Sequence, residues 1–72
     1  MKRFTIPEEM LEAAQRAKDS QAHVSIWRKT PNTITESIFV KNVQGNDITF
    51  YGPHVGTFVT NVNNMNYFEV NG

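Results

Sequence analysis

The shortness of the gaps between strand-like segments constrains this chain more than any other feature of its sequence. From about residue 22 onward, β-branched and aromatic residues alternate with polar ones, a period typical of strands. Turn-forming pairs interrupt this alternation at Pro31-Asn32, Gly45-Asn46, Gly52-Pro53 and Asn63-Asn64. Each gap is shorter than the dozen or so residues that a parallel crossover requires. The sequence therefore predicts an antiparallel sheet with strands at about residues 22–29, 33–43, 47–51, 57–62 and 66–70.

A helical period precedes the strands. Thr5 and Glu8 have the spacing of a capping box, and Pro7 lies where a first helical turn needs no N–H group. Apolar residues then recur on one stripe of a 3.6-residue period, at Ile6, Met10, Ala13, Ala14 and Ala17. These features predict a helix over about residues 6–19, and its alanine stripe predicts close contact with a sheet.

Together these elements predict a single α+β domain over residues 1–72, with an N-terminal helix followed by a five-stranded antiparallel meander. An open sheet with the helix on one face is one arrangement that the pattern allows. The other, which is the arrangement we expect, is a strongly curled or small-barrel-like sheet, whose closure removes exposed edge strands. The order of one helix and five short strands is similar to that of small Sm-like barrels, while the glycine and asparagine positions differ from that family's signature.

Composition narrows the class of protein. A chain of 72 residues buries only roughly 60% of the surface that its unfolded form exposes, which leaves no room for a deep enclosed pocket. The absence of cysteine excludes a disulfide framework and favours a reducing, cytoplasmic setting. Seven basic and seven acidic residues give a net charge of zero, which argues against binding to duplex DNA or a membrane surface. We find no signal peptide and no apolar run that approaches a membrane span.

Alternation along the strands divides their side chains between two faces. The predicted core face carries Val24, Ile26, Ile34, Ile38, Val40, Ile48, Phe50, Phe58, Val62, Phe68 and Val70. The opposite face carries Trp27, Lys29, Phe39, Lys41, Val43, Tyr51, Val59 and Tyr67, which is more apolar surface than a monomer normally exposes. Three explanations are open. The sheet's bends bring these residues into the core, or they bind a protein or a second copy, or they bind single-stranded nucleic acid.

Six residues are the candidate binding site. Trp27 and Phe39, each followed two residues later by Lys29 or Lys41, have the pattern of a base-stacking platform with phosphate contacts. The same aromatic residue types, with Tyr51, also dominate protein interfaces. His54 lies between Gly52-Pro53 and Gly56, in a loop that can present a side chain rigidly.

Catalytic and metal-binding patterns are absent from the sequence. His23 and His54 lie 31 residues apart with no further ligands at metal-binding spacing, so we expect no metal and no cofactor. No serine lies in a nucleophile elbow, and Glu36 and Asp47 do not form an acid and base pair. The isolated glycines form no phosphate-binding loop. The sequence therefore predicts that the protein is not an enzyme.

The resulting hypothesis is a small regulatory protein that binds a protein partner stoichiometrically through its aromatic sheet face. A short, neutral, cysteine-free chain is the format of small bacterial and phage proteins that block or redirect a host factor. The main alternative is a small barrel that binds single-stranded RNA or DNA. A third is a structural subunit whose partner is a second copy of itself.

Overall fold

The alternating segment folds into an antiparallel sheet, as the sequence predicts. A computed structural model describes residues 2–71, and in that part of the chain one helix accompanies six strands. The elements are β1 (Lys2–Phe4), α1 (Pro7–Ser20), β2 (Val24–Arg28), β3 (Thr33–Gln44), β4 (Asp47–Gly52), β5 (Gly56–Asn61), a 3₁₀ turn (Val62–Asn64) and β6 (Met65–Val70). The α+β class is confirmed, and the bounds of α1 and of the five predicted strands agree with prediction to within about two residues.

The order of strands in the sheet is β1-β6-β2-β3-β4-β5, with every pair antiparallel. The predicted meander is present from β2 to β5. The prediction of five strands is wrong, because Lys2–Phe4 adds a strand too short to have a recognisable period. The predicted hairpin between the last two strands is also wrong. β6 does not pair with β5 but lies between β1 and β2, and Val62–Asn64 forms a 3₁₀ turn where the sequence predicts a hairpin.

The sheet bends across β3 but does not close. The first half of this 12-residue strand pairs with β2 and the second half with β4. The ring centroids of Phe50 on β4 and Phe68 on β6 are 6.3 Å apart. Because β4 and β6 are three strands apart in the sheet, a flat sheet would separate these rings by about 14 Å. The shorter distance shows that the sheet is bent. No ladder joins β1 to β5 within residues 2–71, so the predicted barrel-like closure is wrong and both strands remain edges.

Helix α1 begins one residue later than a Thr5 cap would require. Ile6 occupies the N-cap position in extended conformation and makes no side-chain cap hydrogen bond, so the predicted capping box is wrong. Strand β1 runs to Phe4, and Thr5 and Ile6 connect it to the helix. Pro7 lies in the first turn, as predicted. The helix contacts β3 and β6 closely because most of its buried side chains are small. These small side chains are Ala13, Ala14 and Ala17.

The core lies between α1 and the concave side of the bent sheet. Its fully buried side chains include Met10, Val24, Ile26, Ile38, Ile48, Phe50, Val62 and Phe68. Phe58 and Val70 pack against it while remaining partly exposed. Most of the predicted core face is therefore buried as expected.

Irregularities in β3 reverse two of the predicted side-chain orientations. Ile34 is 57% exposed, so its assignment to the core is wrong. Ser37 has a φ of 59° next to a register shift in the β2–β3 ladder, and this bulge changes the alternation between Ile34 and Ile38. A second register shift, between Val40 and Asn42, turns Val43 toward the core. Sequence alternation alone cannot locate such bulges.

Candidate functional site

Three large side chains form a row across the middle of the sheet, on the side opposite the core. Trp27 on β2 lies opposite Tyr67 on β6 and opposite Ile34 on β3. The centroids of the Trp27 and Tyr67 rings are 5.8 Å apart. Ile26 and Phe68, their chain neighbours, are fully buried, so alternation directs Trp27 and Tyr67 to the outer face. We call Tyr67, Trp27 and Ile34 the Trp27 row.

Neighbouring side chains contact both aromatic rings of the Trp27 row. The indole Nε1–H of Trp27 donates a hydrogen bond of 2.6 Å to Oδ1 of Asn32. The guanidinium carbon of Arg3 lies 4.2 Å from the centre of the Tyr67 ring. Glu69, on the same strand as Tyr67, holds that guanidinium through a contact of 3.1 Å. Both aromatic rings are therefore restrained before any partner binds.

The cation in contact with the Trp27 row is paired with a carboxylate. The positive charge of Arg3 is paired with the Glu69 carboxylate. Lys29, predicted to supply a positive charge beside Trp27, lies after β2, where its backbone N–H donates to the carbonyl oxygen of Asn64 at 2.8 Å. Within residues 2–71, Arg3 and Glu69 form the one salt bridge that the structure contains.

A second aromatic group lies on the outer side of β3 and β4. Phe39 pairs in register with Tyr51, and the ring centroids of Phe39 and His23 are 4.4 Å apart. The Nζ atom of Lys41 lies 5.8 Å from the centre of the Tyr51 ring. We call His23, Phe39, Lys41 and Tyr51 the Phe39 cluster. Of the residues predicted to form the site, the structure thus brings Phe39, Lys41 and Tyr51 together.

Trp27 does not belong to the Phe39 cluster. Trp27 pairs with Ile34, whereas Phe39 follows Ile38, the partner of Val24 at the other end of the β2–β3 ladder. The five steps along the strand from Ile34 to Phe39 span about 16 Å. The single aromatic face expected from the sequence is therefore two surfaces.

Two grooves flank Phe39. One has a volume of about 410 Å³ and is lined by Lys18, Gln21, Phe39, Val40 and Lys41. The other has a volume of about 350 Å³, and its lining includes His23, Glu36, Ser37, Phe39 and His54. His54 lies in the turn between β4 and β5, and the fold brings it to the same groove as His23. Among residues 2–71, no group of three or more His, Cys, Asp or Glu side chains is arranged to hold a metal ion.

Sequence reasoning misses three contributors to these surfaces. Arg3 lies outside every predicted strand, because β1 has no periodic signal. Ile34 falls on the predicted core face, because alternation does not reveal the bulge at Ser37. His23 contacts Phe39 only because β2 and β3 pair in the register observed.

By its fold, the described chain is a small α+β protein with an open, bent antiparallel sheet and two aromatic surfaces on its outer side. Comparison with protein-family models, with curated proteins and with solved structures finds no significant match. No helix within residues 2–71 combines the length and hydrophobicity needed to cross a membrane.

Proposed function

We propose that this protein is a non-enzymatic binding protein that docks the Trp27 row onto a protein partner. The observation that carries the proposal is the contact between Trp27 and Tyr67 beside the exposed Ile34, in the middle of the sheet's outer face. Trp, Tyr and Arg are the residue types that contribute most binding energy at protein interfaces. All three occur here, because Arg3 stacks on Tyr67.

Restraint of the side chains supports the same function. An interface loses free energy when it orders mobile side chains, by about 0.5–1.5 kcal/mol for each one. The hydrogen bond from Trp27 to Asn32 and the contacts of Arg3 with Tyr67 and Glu69 already restrain the two rings of the row. A partner that covers it therefore meets a preorganised apolar surface.

The charge distribution favours a protein over a nucleic acid at this surface. Binding to a phosphate backbone draws its affinity from cations that can replace bound counterions. The cation in contact with the Trp27 row, Arg3, is already paired with Glu69. An apolar protein surface with a polar rim matches the Trp27 row better than a polyanion does.

Regulation of that partner in a reducing cytoplasm is the role that we assign to this binding. The chain has no cysteine, a net charge of zero and 72 residues, a format shared by small bacterial and phage proteins that act by occupying a host protein's surface. Its action would then be stoichiometric, with one protein molecule occupying one partner site.

Replacing Ile34 with glutamate tests the proposal. Ile34 is exposed, so the variant should fold, while a charge in the Trp27 row should weaken partner binding by a factor of about 10 or more. Immobilised wild-type and variant proteins would be used to capture cellular proteins, followed by affinity measurement on the captured species. Capture should persist after nuclease treatment and in high salt.

Val55→Glu is the matched control, because Val55 is 51% exposed and lies in the turn between β4 and β5, away from the Trp27 row. This variant should bind the partner as the wild type does. Equal loss of binding in both variants, or equal retention in both, would contradict a role for the Trp27 row.

Single-stranded nucleic acid is a second candidate ligand, and the Phe39 cluster is the surface that favours it. Phe39, Tyr51 and His23 offer rings for base stacking, and Lys41 lies beside Tyr51. Lys18 lines the adjoining groove with Lys41, and neither forms a salt bridge within residues 2–71. Two lysines can neutralise only a few phosphates, so such binding would be weak.

A salt titration with a fluorescent oligonucleotide tests this second candidate. Contact with two phosphates should give a slope of roughly −1.4 in log K against log salt concentration. Lys41→Gln should reduce that slope by about half and leave folding unchanged, because Lys41 is exposed. Binding that is absent at low salt, or that is insensitive to salt, would remove nucleic acid as a candidate.

A further inference from the structure

We infer that the free edge of β5 is a self-association surface, at which two copies of the chain pair β5 with β5 in antiparallel orientation around Val59. The inference rests on residues outside the Trp27 row and goes beyond the proposed function. It identifies a second interface, whose partner is a second copy of the same chain.

The backbone of β5 has one free side. Gly56–Asn61 pairs with β4 along its full length, and no strand pairs with its other side in the part of the chain that the structure describes. A strand edge presents a row of backbone N–H and C=O groups. The ligand that matches this row is an extended polypeptide strand.

The two edges of the sheet differ in how they oppose such pairing. Proteins protect edge strands by keeping them short, by placing charged side chains on them or by inserting proline. Edge strand β1 is short, with three residues, and two of these, Lys2 and Arg3, are charged. Edge strand β5 has six residues, of sequence Gly-Thr-Phe-Val-Thr-Asn, without a charge or a proline. Of the two edges, β5 is therefore the one open to strand addition.

The side chains of β5 are compatible with pairing to a second β5. Val59 is 61% exposed and occupies the middle of the outer face of the strand. An antiparallel pair centred there places Val59 opposite Val59 of the other copy and covers both side chains. The same register places Thr57 opposite Asn61, so polar residues flank the apolar centre on both sides. The arrangement has two-fold symmetry, which is the commonest symmetry of protein dimers.

The charge of the chain allows a second copy as the occupant. With a net charge of zero, two copies approach without mutual repulsion. A pair of six-residue strands buries less surface than a standard stable interface, so the dimer should be weak and should depend on protein concentration.

Disulfide cross-linking tests the pairing, because the chain contains no cysteine of its own. Val59→Cys should form a covalent dimer under mild oxidation with glutathione disulfide, since directly opposed residues in an antiparallel pair have Cα atoms about 4.5–5.5 Å apart. Val55→Cys is the control, because Val55 is also exposed but lies beyond the end of β5. In the proposed dimer its two copies would be separated by roughly 25 Å. We expect Val59→Cys to cross-link at least about tenfold faster.

A mixture of Thr57→Cys and Asn61→Cys tests the register. The mixed disulfide between these variants should form in preference to either symmetric dimer, because only unlike positions face one another. Equal cross-linking rates for Val59→Cys and Val55→Cys would overturn the inference. So would sedimentation of the wild-type protein as a monomer at concentrations up to about 1 mM. Ile34→Glu should dimerise like the wild type, so a failure of this inference is distinguishable from a failure of the proposed function.

Discussion

Phe50→Ala is expected to lower the free energy of unfolding by about 3–5 kcal/mol, a large fraction of the stability of so small a domain. A domain of 72 residues has a total stability of only about 4–11 kcal/mol. Phe50 is fully buried, and its ring centroid lies 5.4 Å from that of Phe58 and 6.3 Å from that of Phe68. Its removal therefore leaves a cavity where the two halves of the bent sheet meet.

Phe39→Ala provides the matched comparison, because it removes the same atoms from the outer face. Phe39 is half-buried and contacts His23, so the expected loss is about 1 kcal/mol. Urea unfolding followed by circular dichroism and by Trp27 fluorescence measures both variants. Similar losses for the two variants would mean that Phe50 does not join the halves of the sheet as described.

Gly52→Ala is expected to cost about 1–3 kcal/mol because there is no room for a methyl group at this position. A Cβ atom on Gly52 would lie 2.7 Å from Cγ2 of Ile38 and 2.9 Å from Cγ2 of Val55. Ile38 is almost completely buried and cannot move away without disturbing the core. The end of β4 therefore requires glycine for space, and a larger side chain should be less tolerated than alanine.

Gly45 requires glycine because of its backbone conformation and not because of limited space. Comparing variants at Gly45 and Gly52 therefore distinguishes the two effects. Gly45 has a φ of +59°, but a Cβ atom there would meet nothing within 4 Å. Asparagine tolerates this left-handed conformation, so Gly45→Asn should cost less than about 1 kcal/mol while Gly52→Asn should cost more than Gly52→Ala. Thermal unfolding of these three variants gives the order. Equal costs for asparagine at the two positions would contradict the steric explanation for Gly52.

Prediction from the sequence succeeded where periodicity and turn residues act locally. The apolar stripe of α1 and the turns at Gly45-Asn46 and Gly52-Pro53 define elements that the structure contains. Prediction failed where the outcome depends on distant partners. β1 exists because Lys2–Phe4 pairs with β6, and β6 leaves the meander because it pairs with β2 instead of β5. No local pattern in either segment specifies these partners.

The candidate site shows the same division between local and distant causes. Trp27, Tyr51 and Val59 lie on the outer face, as alternation within their own strands predicts. Ile34 joins Trp27 because the register shift next to Ser37 reverses the alternation along β3. A bulge of this kind leaves the spacing of apolar residues in the sequence unchanged, so the pattern places Ile34 on the wrong face.

The position of β6 determines when the sheet can be completed. This strand follows the other described strands in sequence, yet it lies between β1 and β2 and contacts α1. The hairpins from β2 to β5 use neighbouring segments and can form early, while β1 has no strand to pair with until β6 arrives. During synthesis, β1 is therefore made well before its partner β6 and is among the last of the described strands to find its place.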